Sequence, residues 1–195
     1  MVYKNKKGEI ASIELYDRQL KQLNVKYEEL WVETRYGKTH LLKLGKTDGK
    51  PILFFHGGNS TSPYYIKTFK SLMEKYCFYA VDTIGHPGRS VQIVLSPKTM
   101  AYGEWASDVI SSLRFQKMYC MGGSYSGGIL MKLMCVAPEK IEKGILIVPS
   151  AISNVSTFNV MIKMGIPMMF YIITKKDKWL KNSIIPMAIE EKTLT

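Results

Sequence analysis

Four short apolar runs, none of them alternating with polar residues, punctuate the middle of the chain: Ile52–Phe55, Cys77–Val81, Met118–Met121 and Ile145–Val148. Continuous apolar strands are those covered on both faces, as in a parallel sheet. Stretches with helical spacing separate them, at about residues 64–75, 100–114 and 126–137. This alternation predicts parallel strands joined by crossover helices. Upstream, Leu30–Thr34 and Thr39–Leu44 flank the turn Arg35–Lys38 and predict an antiparallel hairpin. Before the hairpin, Ile13, Leu15, Leu20, Leu23 and Leu30 lie among charges and predict a short surface helix within residues 12–30. The pattern gives an α/β fold: a doubly wound, mostly parallel sheet with an antiparallel N-terminal hairpin. The implied divisions are an N-terminal helical extension (1–29), a core (30–152) and a C-terminal segment (153–195).

In open α/β sheets, ligands sit beyond the carboxyl ends of the strands. Here those ends read His56-Gly57-Gly58-Asn59, Asp82-Thr83-Ile84-Gly85-His86-Pro87-Gly88-Arg89-Ser90, Gly122-Gly123-Ser124-Tyr125-Ser126-Gly127-Gly128 and Pro149-Ser150-Ala151. Glycines and hydroxyls therefore gather along one edge of the sheet. A nucleophile on a tight strand-to-helix turn needs small residues two positions to either side, because larger ones would collide with the flanking backbones. Gly122 and Ser126 meet that condition for Ser124. Ser124 and Gly128 meet it for Ser126, so both serines are candidates. A dinucleotide phosphate turn would need G-x-G-x-x-G and an acid ending the next strand. This turn has neither. A purely structural glycine turn is the remaining alternative.

Composition narrows the class. With 46% hydrophobic and 22% charged residues the chain is an ordinary globular protein. Its net charge of +11 comes from basic residues scattered among acids, with no basic run interleaved with aromatics. Nucleic-acid binding is therefore not expected. Cys77, Cys120 and Cys135 form no metal or disulfide spacing and are expected to be buried thiols in a reducing cytoplasm. Met1–Lys7 is charged and leads into no apolar core, so it does not read as a signal peptide. No metal or organic cofactor is implied.

These strand ends resemble the α/β-hydrolase superfamily, in its carboxylesterase and lipase-like branch. Ile52–Gly58 is similar to the strand and HG loop, Asp82–Ser90 to the D-x-x-G-x-G-x-S loop with an extra Pro87, and Gly122–Gly128 to the nucleophile elbow. The run from Ser124 to Pro138 matches the family spacing and favours Ser124 over Ser126 as the nucleophile. The resemblance implies a serine hydrolase that attacks an ester-type carbonyl of a small molecule through Ser124. The N–H groups of Gly58 and Tyr125 would form the oxyanion hole, with Asn59 and Ser150 in substrate binding.

The family order places an acid and a histidine after the nucleophile. Here His40, His56 and His86 all precede Ser124. Of the later acids, Glu139 and Glu142 fall at the wrong end of the sheet and Asp177 in a lysine-rich stretch. The chain is thus expected to be the N-terminal part of such an enzyme. The alternative is a truncated, catalytically silent hydrolase-like binding module. Residues 157–173 are apolar but are interrupted by Lys163, Gly165 and Pro167. They read as the start of a helical cap, not a stable membrane span.

Overall fold

The computed structural model describes residues 2–150 and 157–185. The chain divides into two compact units, Met1–Ala151 and Ile152–Thr195. The first is a six-stranded sheet in the order β1-β2-β4-β3-β5-β6. Strands β1 (Tyr27–Thr34) and β2 (Gly37–Gly45) form the antiparallel hairpin. β2 also pairs antiparallel with β4 (Tyr76–Val81). From there the sheet is parallel through β3 (Lys50–Phe55), β5 (Met118–Gly123) and β6 (Ile141–Ile147). In the β3–β5 register Phe55 stands beside Gly122.

Alternation along the strands supplies two cores, one on each face. Leu53 and Phe55 of β3, Tyr79 and Val81 of β4 and Cys120 of β5 pack with α3 (Ala101–Ser112) and α4 (Tyr125–Val136), whose Trp105, Val109, Ile129 and Leu133 are buried. Ile52, Phe54, Phe78 and Met121 point the other way, toward Tyr16, Leu20 and Leu23 of α1 (Lys6–Leu23) and Ile66 of α2 (Ser62–Ile66). Strands sandwiched this way need apolar residues at every position, which is why their pattern does not alternate. The run Ile145–Val148 departs from that expectation: β6 is the edge strand, and Ile145, Leu146 and Val148 are exposed.

Helix α1 spans Lys6–Leu23, earlier than the 12–30 expected, and β1 begins at Tyr27 instead of Leu30. Both ends of α1 are set by asparagines. Asn5 caps the start, its side chain accepting from the Gly8 N–H, and Asn24 closes the end in the left-handed conformation. The stretch expected as one helix over 64–75 is a short α2 (Ser62–Ile66) followed by a 3-10 segment, Lys67–Glu74, broken at Phe69. Cys77 and Cys120 are buried, and burial pushes the Cys120 thiol up to about 12. Cys135 departs from expectation. It lies on the outer side of α4 and is exposed.

The second unit contains α5 (Thr157–Val160), a π-helical turn at Met161–Gly165, α6 (Ile166–Thr174) and α7 (Asp177–Ile184). Phe170 stacks on Trp179, with ring centroids 4.8 Å apart, and so joins α6 to α7. The expected C-terminal segment thus lies partly outside the described residues. No described helix is long and apolar enough to cross a membrane.

Candidate active site

Ser124 occupies the reversal between β5 and α4. Its backbone is at φ 54° and ψ −123°, a conformation that L-residues rarely adopt and that costs on the order of 1–3 kcal/mol. The hydrogen bonds that hold it there run through its backbone. Its N–H donates to the Ile147 carbonyl (3.0 Å), and its carbonyl accepts from the Gly127 N–H (3.1 Å) and the Ser150 N–H (2.9 Å). The Ser150 hydroxyl donates to the same carbonyl at 3.1 Å. Ser150, expected at the substrate, is thus engaged in fixing the turn. The Ser124 residue itself is exposed.

Ser126 lies two residues on and is buried. Its Oγ accepts from the Gly123 N–H at 3.1 Å and faces the carbonyls of Phe55 and Gly123, each 2.9 Å away. It ties β3 to the turn and has no path to solvent. The reversal also explains Gly122: a Cβ there would lie 2.6 Å from the Ser126 carbonyl oxygen, a backbone atom that cannot retreat.

The loop after β3 comes directly against this turn. A Cβ on Gly58 would sit 3.2 Å from Tyr125 Cβ, a tight contact that would push the loop and Tyr125 apart by a few tenths of an ångström. No backbone acceptor takes the Gly58 N–H among the described residues. The Tyr125 N–H opens α4, where first-turn amides lack intrahelical partners and the helix dipole presents its positive end. A cleft of about 570 Å³ joins Ser124 to Gly57, Gly58 and Asn59, with Tyr64, Tyr65 and Pro87 along its sides.

The three histidines are engaged elsewhere. The ring of His56 is buried, with Nδ1 2.9 Å from the Gly57 carbonyl and Nε2 accepting from the Thr83 N–H at 3.1 Å. That arrangement fits the neutral imidazole, and burial lowers its pKa. It therefore braces the glycine loop. His86 packs on Tyr125 at a ring separation of 4.8 Å, with Nδ1 3.3 Å from the Ile84 carbonyl. Burial lowers its pKa as well, and it does not line the cleft.

His40 belongs to a network that no local sequence pattern signals. Its Nδ1 lies 2.9 Å from Asp82 Oδ2, and both side chains are fully buried. The Arg89 N–H donates to the same Oδ2 at 2.9 Å. Ser90 Oγ accepts from the His40 N–H (2.9 Å) and donates to the Asp82 carbonyl (2.6 Å). The Arg89 guanidinium then reaches Asp17 at 2.5 Å and Glu29 at 3.2 Å. The aspartate and serine that frame the 82–90 loop thus close it onto the hairpin.

Among the later acids, Glu142 pairs with Lys50 at 3.2 Å. Lys50 starts β3, so this pair marks the amino end of the parallel strands, opposite Ser124. Among the described residues no three histidines, cysteines or acids gather in a way that could hold a metal.

Residues 50–175 match the model of the alpha/beta hydrolase fold. The chain belongs to that family. Carboxylesterase YbfK of Bacillus subtilis (strain 168) is 29% identical over 135 residues, which are 69% of this chain and 46% of the relative. The carboxylesterase nap of the same organism, itself described as uncharacterized, is 27% identical over 141 residues, 72% of this chain and 47% of its own. Among solved structures, the naproxen esterase of Bacillus subtilis superposes with a TM-score of 0.68 at 28% identity, covering 75% of this chain and 51% of that one. The chain therefore spans about half the length of the curated relatives it matches.

Proposed function

We propose that this chain carries the nucleophile and the oxyanion hole of a serine carboxylesterase, in which Ser124 Oγ attacks an ester carbonyl. The developing oxyanion is held by the N–H groups of Gly58 and Tyr125. The observation that carries the reading is the strained, exposed Ser124 at the start of α4, with the Gly57–Asn59 loop against it across one cleft. Strain of this kind persists where surrounding structure enforces it, and it gathers at reactive positions. Two backbone donors preset on an oxyanion act without reorganisation, and losing one such donor typically costs roughly 2.7–4 kcal/mol of transition-state stabilisation. The similarity to carboxylesterases supports an ester over the other carbonyl substrates this fold accepts. In this proposal the helices α5–α7 begin the cap.

The engagement of all three histidines favours a second reading, a module that binds esters without turning them over. Labelling by a fluorophosphonate and hydrolysis of 4-nitrophenyl butyrate separate the two. The esterase reading expects Ser124→Ala to abolish labelling and to bring hydrolysis down to the rate of the protein-free control. Labelling that persists in Ser124→Ala would move the nucleophile elsewhere. A wild-type protein that binds ester analogues but takes no label is the silent module.

A further inference from the structure

Helix α1 carries two stripes at helical spacing. Tyr16, Leu20 and Leu23 are buried against the sheet. Ser12, Leu15 and Gln19 form the other stripe, and all three line the cleft that holds Ser124. The match to the family model begins at residue 50, so this wall lies outside the matched region. Gln19 Oε1 accepts from the Thr61 hydroxyl at 2.6 Å and fastens the helix to the segment that follows the glycine loop. Arg89, through Asp17, fastens it to the 82–90 loop. The wall is therefore held from both sides of the cleft.

The lining has a notable composition for so basic a chain. With 27 lysines and arginines in the sequence, none of the described residues lining this cleft carries a charge of either sign. Its apolar side chains are open to a ligand: Leu15 is 44% exposed and Tyr64 60% exposed. A substrate group entering between them gives up water for leucine and aromatic surface and meets no counter-ion. Burying an ionised group without a partner is unfavourable, whereas an apolar group gains from the transfer.

We infer that α1 is a specificity-determining wall of the cleft, selecting esters that place an uncharged, apolar group there, with Leu15 setting its depth. The inference rests on the proposed function for placing the ester at Ser124. Its test is binding, which does not need the nucleophile. Two stable amides serve as probes: N-methyl-4-phenylbutanamide, which is neutral, and N-methylsuccinamate, which ends in a carboxylate. Each is titrated by ligand-observed NMR into the wild type and into Ser124→Ala. The neutral amide is expected to bind both proteins, and the carboxylate at least ten-fold more weakly. Leu15→Trp fills the cleft and is expected to weaken the neutral amide ten-fold or more. Leu15→Lys is expected to narrow or reverse the preference. Leu15 is half exposed, so both variants should fold, and their melting curves verify it. Equal binding of the two probes, no measurable binding of the neutral amide, or indifference to Leu15→Trp would each overturn the inference. Phosphonate labelling that survives Ser124→Ala would defeat the nucleophile assignment while leaving the binding result intact, so the two failures are distinguishable.

Discussion

Two polar neighbourhoods sit at the carboxyl edge of the same sheet, and they are built on opposite plans. Around Asp82 the polar groups turn inward: His40 and the Arg89 amide meet its Oδ2 and Ser90 its carbonyl, and Arg89 and His40 are faced in turn by Glu29, while its Oδ1 has no hydrogen-bond partner among the described residues. The bonds to Ser124 engage only its own backbone, and the residue remains open to the cleft. The first plan fixes a loop, and the second presents a reactive group on a fixed support. A serine and an aspartate at strand ends separated by a single strand therefore need not share one task.

Several variants would break or sharpen that contrast. The largest stability effect is expected from Asp82→Ala, which leaves a buried histidine and a buried amide without their acceptor. Removing one member of a buried pair costs roughly 3–5 kcal/mol, to be read as a lower urea midpoint at unchanged slope. A loss below about 1 kcal/mol would mean that the closed network is not structural. Ser126→Ala should cost less, about 1–3 kcal/mol, because it strands the Gly123 N–H while phosphonate labelling is retained. If Ser126→Ala abolished labelling with its fold intact, the division of labour between the two serines would be wrong.

Ser124→Gly is expected to act in the opposite direction, raising stability by roughly 1 kcal/mol as the backbone strain is relieved and removing the label at the same time. A destabilised Ser124→Gly would show that the serine side chain supports the turn. The smallest effect is one of pH. Burial holds the folded His56 imidazole below its ordinary pKa, so the unfolded chain binds more protons once the pH falls below the ordinary histidine value of about 6.5. The stability due to neutral His56 is therefore complete above that value and declines as the pH drops toward the lowered one. His56→Gln, melted between pH 7.5 and 5.5, should show a shallower acid limb than the wild type. Parallel limbs would assign the loss to His86, which is shifted in the same direction.

Strands β3, β4 and β5 were legible in the sequence because burial on both faces leaves almost no polar position to confuse the period, whereas β6, an exposed strand at the sheet edge, showed only its apolar run. The turn at Ser124 was legible because steric crowding admits so few residues around it. Helix α1 was misplaced because its ends depend on Asn5 and Asn24, single polar residues in a polar stretch, and its apolar positions blend into those of β1. The broken helix at Phe69 leaves no Pro or Gly to mark it. The partnership of His40 with Asp82 spans 42 residues, and no local pattern reports a contact made by topology. The role of Ser150 was hidden for the same reason, since it depends on β6 ending beside β5.

The register of β3 against β5 has a consequence for how this fold tolerates change. Phe55 and Gly122 stand abreast, and each proposed oxyanion donor, Gly58 or Tyr125, comes three residues later in its own chain. Adding or deleting one residue within either strand would offset the two amides by about 3.3 Å along the sheet, more than the length of the bond each must make. Strand length is then as tightly constrained as the identity of the serine, and insertions would survive in the connecting loops and not in the two strands that present these amides.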